Sequence, residues 1–189
     1  MIKSESQSRR VRITKRMLKD ALMELLESQP LSAISVTKLC QLADVNRSTF
    51  YSYYDDILDL LKEIENDLIE QIPVIQKPAP RTAVNQQMIK EFSVFFKYIR
   101  SHGREFNILL KMGDLSFRNQ LIDVVIQNTE NEVHDQFTHW TYIFAVNGTI
   151  GIILDWIAKG FPLGDDEFTE LVFQMNIQLN TSFPAKYTR

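Results

Sequence analysis

Apolar residues recur along this chain at helical rather than alternating spacing. Ile13, Met17, Ala21 and Leu25 step four residues at a time, with Leu18, Leu22 and Leu26 beside them. They predict a long first helix with that stripe inward, stopped by Pro30. Residues 1–9 are polar and lack such a period, and they are expected to be mobile. Ile34 anchors the link into a short helix, on which Val36, Leu39, Cys40 and Ala43 share one face. Asp44 suits a left-handed turn and Asn46 suits a helix cap. From Arg47 to about Tyr54 a second short helix is expected to turn Phe50 and Tyr54 inward with Val45. It leaves Arg47, Ser48, Thr49, Tyr51 and Tyr53 on a polar outer face. Asp55 and Asp56 then cap a longer helix with Ile57, Leu61, Ile64, Leu68 and Ile72 inward and Asp59, Glu63, Glu65, Asp67 and Glu70 mostly outward.

Pro73, Pro78 and Pro80 mark a linker, which divides the chain into residues 1–72 and 73–189. Beyond it Met88, Phe92, Phe95 and Ile99 form a stripe with Phe96 beside it, and His102-Gly103 ends that helix. A shorter one carries Phe106, Leu109, Leu110 and Met112 up to Gly113. Leu115, Leu121, Ile122, Val125 and Ile126 belong to a segment that turns polar towards Thr138. The nineteen residues from Trp140 to Ala158 are apolar nearly all round, long enough for a membrane span. Asn147 and Asp155 within the run, and the lack of a second such segment, favour a helix covered by its own core on one side and by a second subunit on the other. Gly148 and Gly151 allow a partner helix to approach closely. After a turn at Gly160, Pro162 and Gly164, Asp165-Asp166-Glu167 open a last helix striped by Phe168, Leu171, Val172, Met175 and Leu179. No strand pattern and no internal repeat is found, so the fold class is all-α.

The net charge of -3 hides an asymmetry. Residues 1–54 hold nine Lys/Arg against five Asp/Glu, a net of +4, whereas residues 55–189 hold twelve against nineteen, a net of -7. Arg9, Arg10, Arg12, Lys15, Arg16 and Lys19 cluster on the first helix, where local positive charge can meet phosphate. The lone cysteine, Cys40, rules out an internal disulfide framework and fits a reducing cytoplasm, and no apolar leader follows the basic start. His134 and His139 are five apart, off the spacing that places two metal ligands on one helical face, and no metal site is expected. Without a phosphate loop, nucleophile elbow or catalytic cysteine signature, neither an enzyme nor a cofactor is expected.

Two short helices joined by a tight turn, the second with little apolar surface, suit a helix-turn-helix that inserts into the DNA major groove. Val45-Asn46-Arg47-Ser48-Thr49-Phe50-Tyr51-Ser52-Tyr53-Tyr54, followed by Asp55-Asp56 and Leu60-Leu61, resembles the recognition-helix signature of the TetR family of transcriptional regulators. The resemblance covers about residues 10 to 72, and Trp156-Ile157-Ala158-Lys159-Gly160-Phe161-Pro162 resembles a helix junction of one TetR branch. Where the family usually has a lysine that meets a phosphate, this chain has Ile57.

The resemblance implies a three-helix DNA-binding head and a C-terminal helical domain that dimerises and senses a small molecule. Arg47, Thr49, Tyr51 and Tyr53 are the candidates to reach bases or nearby phosphates, and Thr37, Lys38, Ser48 and Tyr54 to position the DNA backbone. Dimerisation would use Gly148, Gly151, Ile152, Asp155, Phe168, Leu171 and Met175 in a four-helix bundle. A pocket would draw on Phe95, Phe96, Phe106, Met112, Phe117, Tyr142 and Trp156, residues that are otherwise core. The implied function is a homodimeric regulator of a palindromic operator on double-stranded DNA. Repression is its commoner mode, and an effector would release it by changing the spacing of the two heads through the 57–72 helix. The rival reading is a TetR-like co-regulator acting mainly through a protein partner.

Overall fold

The computed structural model describes residues 2–73, 86–112, 115–129 and 136–181, and among these every regular element is helical. The chain divides into two compact units, Met1–Glu70 and Gln71–Arg189.

In the first unit α1 (Ile2–Ser28) contributes Leu18, Ala21, Leu22, Met23 and Leu25 to the core. One expectation fails here: α1 begins at Ile2, and Ile13 (48% exposed) and Met17 lie outside the core. The buried face runs instead through Leu18, Ala21, Leu22 and Leu25, because successive four-residue steps drift round a helix of 3.6 residues per turn and carry Ile13 and Met17 off it. A short 3-10 turn at Leu31–Ala33 follows Pro30. The Ser35 hydroxyl then accepts from the Lys38 N–H (3.2 Å) and caps α2 (Val36–Leu42), which buries Leu39 and Cys40. Asp44 adopts the left-handed conformation (φ 52°), and the Val45 N–H returns to the Cys40 carbonyl at 3.0 Å.

That turn launches α3 (Arg47–Tyr51), five residues rather than the expected eight, with Phe50 as its buried anchor. Asn46 occupies the cap position in extended conformation, but its side chain makes no capping bond. Ser52 closes the helix instead, its hydroxyl donating to the Thr49 carbonyl at 2.6 Å. In α4 (Ile57–Glu70) the Asp56 carboxylate accepts from the Asp59 N–H (2.9 Å) while that of Asp59 accepts from the Asp55 N–H (3.3 Å). Leu60, Leu61, Ile64 and Leu68 are buried on α4. Glu65, expected outside, is buried among them, and Ile57 is only half-buried.

The second unit comprises α5 (Gln86–Ser101), α6 (Gly103–Lys111), α7 (Leu115–Thr129), α8 (Gln136–Ala158) and α9 (Asp165–Thr181). Its most extensive helix pair is α5 with α9, and α8 touches α6, α7 and α9. The centre is aromatic: Trp156 and Phe168 stack at 4.1 Å with 3° between their planes, and Phe96 meets both edge-on. Phe106 lies 5.8 Å from Phe117. Arg100 ties the helix ends together. It donates to the Leu163 carbonyl, pairs with Asp165 at 2.7 Å and lies over the rings of Trp156 and Phe161. Gly103 is required where α6 begins, since a Cβ there would come within 2.4 Å of the Phe161 ring. The tight turn before α9 is made by two left-handed residues, Gly160 (φ 70°) and Phe161 (φ 61°).

Candidate nucleic-acid interface

A five-residue helix with one buried residue has little reason to exist as core, and its remaining side chains define the candidate site. Arg47, Ser48 and Tyr51 on α3 are exposed, while Thr49 and Tyr53 are half-exposed. Thr37 and Lys38 at the start of α2 are exposed too, with Lys38 Nζ 2.7 Å from the Gln29 side-chain oxygen. Arg47 and Tyr51 stand four apart, one helical turn, so both point out from the same side of α3.

Tyr54 leaves this set. It is 3% exposed, with its ring against Phe50 at 5.6 Å and beneath the Lys15 ammonium at 5.1 Å. Burial, together with the neighbouring Glu63 carboxylate, pushes its phenol well above the ordinary tyrosine range. A buried hydroxyl cannot hold a phosphate. Cys40 is likewise interior, and burial raises its thiol pKa despite the opposing charge of Arg47, so it is a small core residue rather than a reactive one.

The basic cluster on α1 splits. Lys15 bonds Glu63 at 2.7 Å, and Lys19 bonds both Glu63 (2.6 Å) and Asp67 (2.5 Å). These two cations clamp α1 to α4, while Arg16 pairs locally with Asp20 at 3.7 Å. Nothing in the local pattern announces partners 48 positions away.

Burial alone would raise the Glu63 pKa, but the bonds from Lys15 and Lys19 outweigh it and hold the carboxyl below its usual range. Burial alone would lower that of Lys19, yet its bonds to Asp67 and Glu63 raise it. The stability from Glu63 is therefore complete above its ordinary pKa and lost as pH falls through the depressed one. That from Lys19 is lost as pH rises through the elevated one. Glu63→Gln is expected to cost the head about 1–2 kcal/mol near neutrality. Melting curves should show the gap from wild type closing as acid protonates Glu63; a gap of the same size at neutral pH and in strong acid would contradict this account.

In the second unit, Gly148, Gly151 and Asp155 are exposed on α8 and Ile152 is half-buried. Asp155 pairs with Lys159 at 2.8 Å. On α9, Leu171 and Met175 (46% exposed) face out. Phe168 does not: it is 2% exposed and stacked on Trp156, so it belongs to the core of one protomer. Sequence reasoning overlooked Trp140, Ile143 and Phe144, all exposed on α8, because an all-round apolar helix has no dominant face. Among the pocket candidates, Phe95, Phe96, Phe106, Phe117 and Trp156 are buried and spend their faces on one another, while Met112 is half-buried. The side chain of Tyr142 lies outside the described residues, as do Gly113, Pro78 and Pro80.

Residues 86–178 match the TetR-type family model described as "Transcriptional regulator C-terminal region". Among solved structures the chain is similar to the "Dihydroxyacetone kinase operon activator DhaS", with 19% identity over 90% of this chain and 97% of that one and a TM-score of 0.56. No curated protein matches the sequence. At that identity the structural likeness speaks for the fold alone, and the family is carried by the match to the C-terminal region. Residues 86–178 therefore carry the C-terminal region of a TetR-family transcriptional regulator, behind a helix-turn-helix head.

Proposed function

We propose that this regulator binds double-stranded DNA as a homodimer, each protomer laying α3 in the major groove of one half of an approximately palindromic operator. The observation that carries the reading is α3 itself, anchored by Phe50 and offering Arg47, Ser48 and Tyr51 to solvent. Arginine can donate bidentately to guanine, and the Tyr51 hydroxyl can reach a phosphate or a base edge. Arg47→Ala is expected to weaken operator binding by about 1–3 kcal/mol and to relax preference at one base pair. If Arg47 only touches phosphate, operator and scrambled DNA weaken together and the salt slope falls by about one unit. Wild-type affinity of a folded Arg47→Ala for both DNAs would remove α3 as the reader. The co-regulator reading would then lead, supported by the acidic balance of residues 55–189.

The stretch His139–Ala158 has the length and hydropathy of a membrane span. In our reading its outer face is covered by a second copy of the chain, and the protein works in the cytoplasm. A ligand that releases the operator would enter among α5 to α9, where Phe96, Trp156 and Phe168 now fill the space. Repression is the proposed mode, although the similar structure is titled an activator. A reporter behind the chain's own upstream DNA decides the sign, with expression rising on deletion of the regulator if it represses.

A further inference from the structure

The clamp between α1 and α4 also fixes where the remaining cations of α1 lie. Lys15 reaches Glu63, and Lys19, one turn later, reaches Glu63 and Asp67, so the two helices run side by side in the same direction. Lys15 is already level with the end of the helix-turn-helix, since its ammonium sits 5.1 Å from the ring of Tyr54. At about 1.5 Å per residue, Arg12 and Arg9 lie roughly 4.5 Å and 9 Å further back along α1. That shift carries them past Leu60 towards the start of α4 and the Ser52–Asp56 turn by which the chain leaves α3. Arg9, Arg10 and Arg12 are exposed, and no ion pair among the described residues involves them. Between Gln7 and Lys19 there is no acidic residue. Of the carboxylates at the same level, Asp56 and Asp59 are engaged with backbone N–H groups of the α4 cap, while Asp55 is exposed at the turn. The start of α4 itself, Asp55-Asp56-Ile57-Leu58-Asp59, supplies no cation.

We propose that the opening turns of α1 form a second element of the DNA footprint. Arg9, Arg10 and Arg12 hold backbone phosphates flanking the base pairs read by α3, on the side where the chain leaves that helix. The inference rests on the DNA-binding reading above. These side chains position the duplex without reading sequence, because contacts to backbone phosphates carry no base information. Two cations of the cluster stabilise the head and three hold DNA.

The test is the triple variant Arg9→Gln/Arg10→Gln/Arg12→Gln in the full chain, titrated on operator and scrambled duplex between about 50 and 200 mM salt. Each lost phosphate contact should lower the slope of log affinity against log salt by about 0.9. If all three hold phosphates, the affinity lost across that fourfold salt range should shrink by about fortyfold relative to wild type. Operator and scrambled DNA should lose affinity by the same factor, with the melting curve unchanged. Lys15→Gln serves as the contrast, lowering the melting temperature. A folded triple variant with wild-type slope and affinity overturns the inference, and so does a loss confined to the operator. If Arg47→Ala abolishes operator preference while the triple variant behaves as wild type, only this inference falls. If the wild-type chain binds neither duplex at any salt, both readings fall together.

Discussion

Phe50→Ala should melt the head of this protein at temperatures where wild type is fully folded. Phe50 is completely buried, with its ring edge-on to Tyr51 at 5.4 Å and tilted against Tyr54 at 5.6 Å. It is the buried residue of a helix only five residues long. A helix of that length has no stability of its own, since nucleation costs more than one turn of hydrogen bonds returns. It persists because one ring fixes it to α2 and the rest of the head core. Truncation to alanine removes the ring and leaves a cavity, at about 3–5 kcal/mol. That is a large share of the total stability of a small domain.

Circular dichroism melting should show an early transition for the head in the variant. Fluorescence of Trp156, stacked on Phe168 in the other unit, should report an unchanged second transition. DNA binding should be lost above the first transition and recovered on cooling. A variant that melts like wild type would mean that α3 is held by something other than Phe50, and the helix-turn-helix geometry would need another explanation.

What made the head legible in the sequence is that its signals are local. Asp44 turns left-handed and Phe50 faces in, and each follows from residue type within a few positions. Tyr54 was ambiguous because a tyrosine carries both an apolar ring and a hydrogen-bonding hydroxyl. Local spacing turns it inward with Phe50 while the family resemblance makes it a backbone contact, and its burial beside Phe50 and the sequence-distant Lys15 and Glu63 bears out the first. The same distance hid the division of labour in the basic cluster, where sequence proximity groups six cations that the fold separates. In the second unit the periodicities of α5 and α9 gave the helices but not which apolar residues meet a neighbour. Phe168 and Leu171 lie three apart on one stripe, yet the first is stacked in the core and the second faces out. Membership of an interface depends on where α5 and α8 cover α9, and no residue type encodes that.

The outer face of α8 leads to the second large effect. Val146, Ile150, Ile153 and Ile157, spaced 4-3-4, are buried within the protomer. Trp140, Phe144, Gly148, Gly151 and Asp155 follow the opposite stripe, where Phe144 is 66% exposed. A Cβ built on Gly148 or Gly151 meets nothing within 4 Å, so neither glycine is required by the protomer's own packing. Leu171 and Met175, one turn apart on the adjoining α9, add apolar exposure. Water is a poor solvent for such a face, and a two-fold axis would bury it against its own copy.

Under that arrangement Phe144→Asp loses an aromatic anchor and introduces a charge, each counted once per protomer. At about 2 kcal/mol per copy, the dimer should weaken by about 4 kcal/mol, or roughly a thousandfold in dissociation constant. Sedimentation velocity at micromolar protein should show monomers, with the melting of each unit preserved because Phe144 is largely free of the core. Trp140 emission should shift to the red as its ring meets water while buried Trp156 does not change. Operator binding should collapse to the weak affinity of a single head. Gly151→Leu, which blocks close helix approach without adding charge, should weaken the dimer in the same direction. An intact dimer in both variants would place the two-fold axis elsewhere on the molecule and leave this face to a different partner.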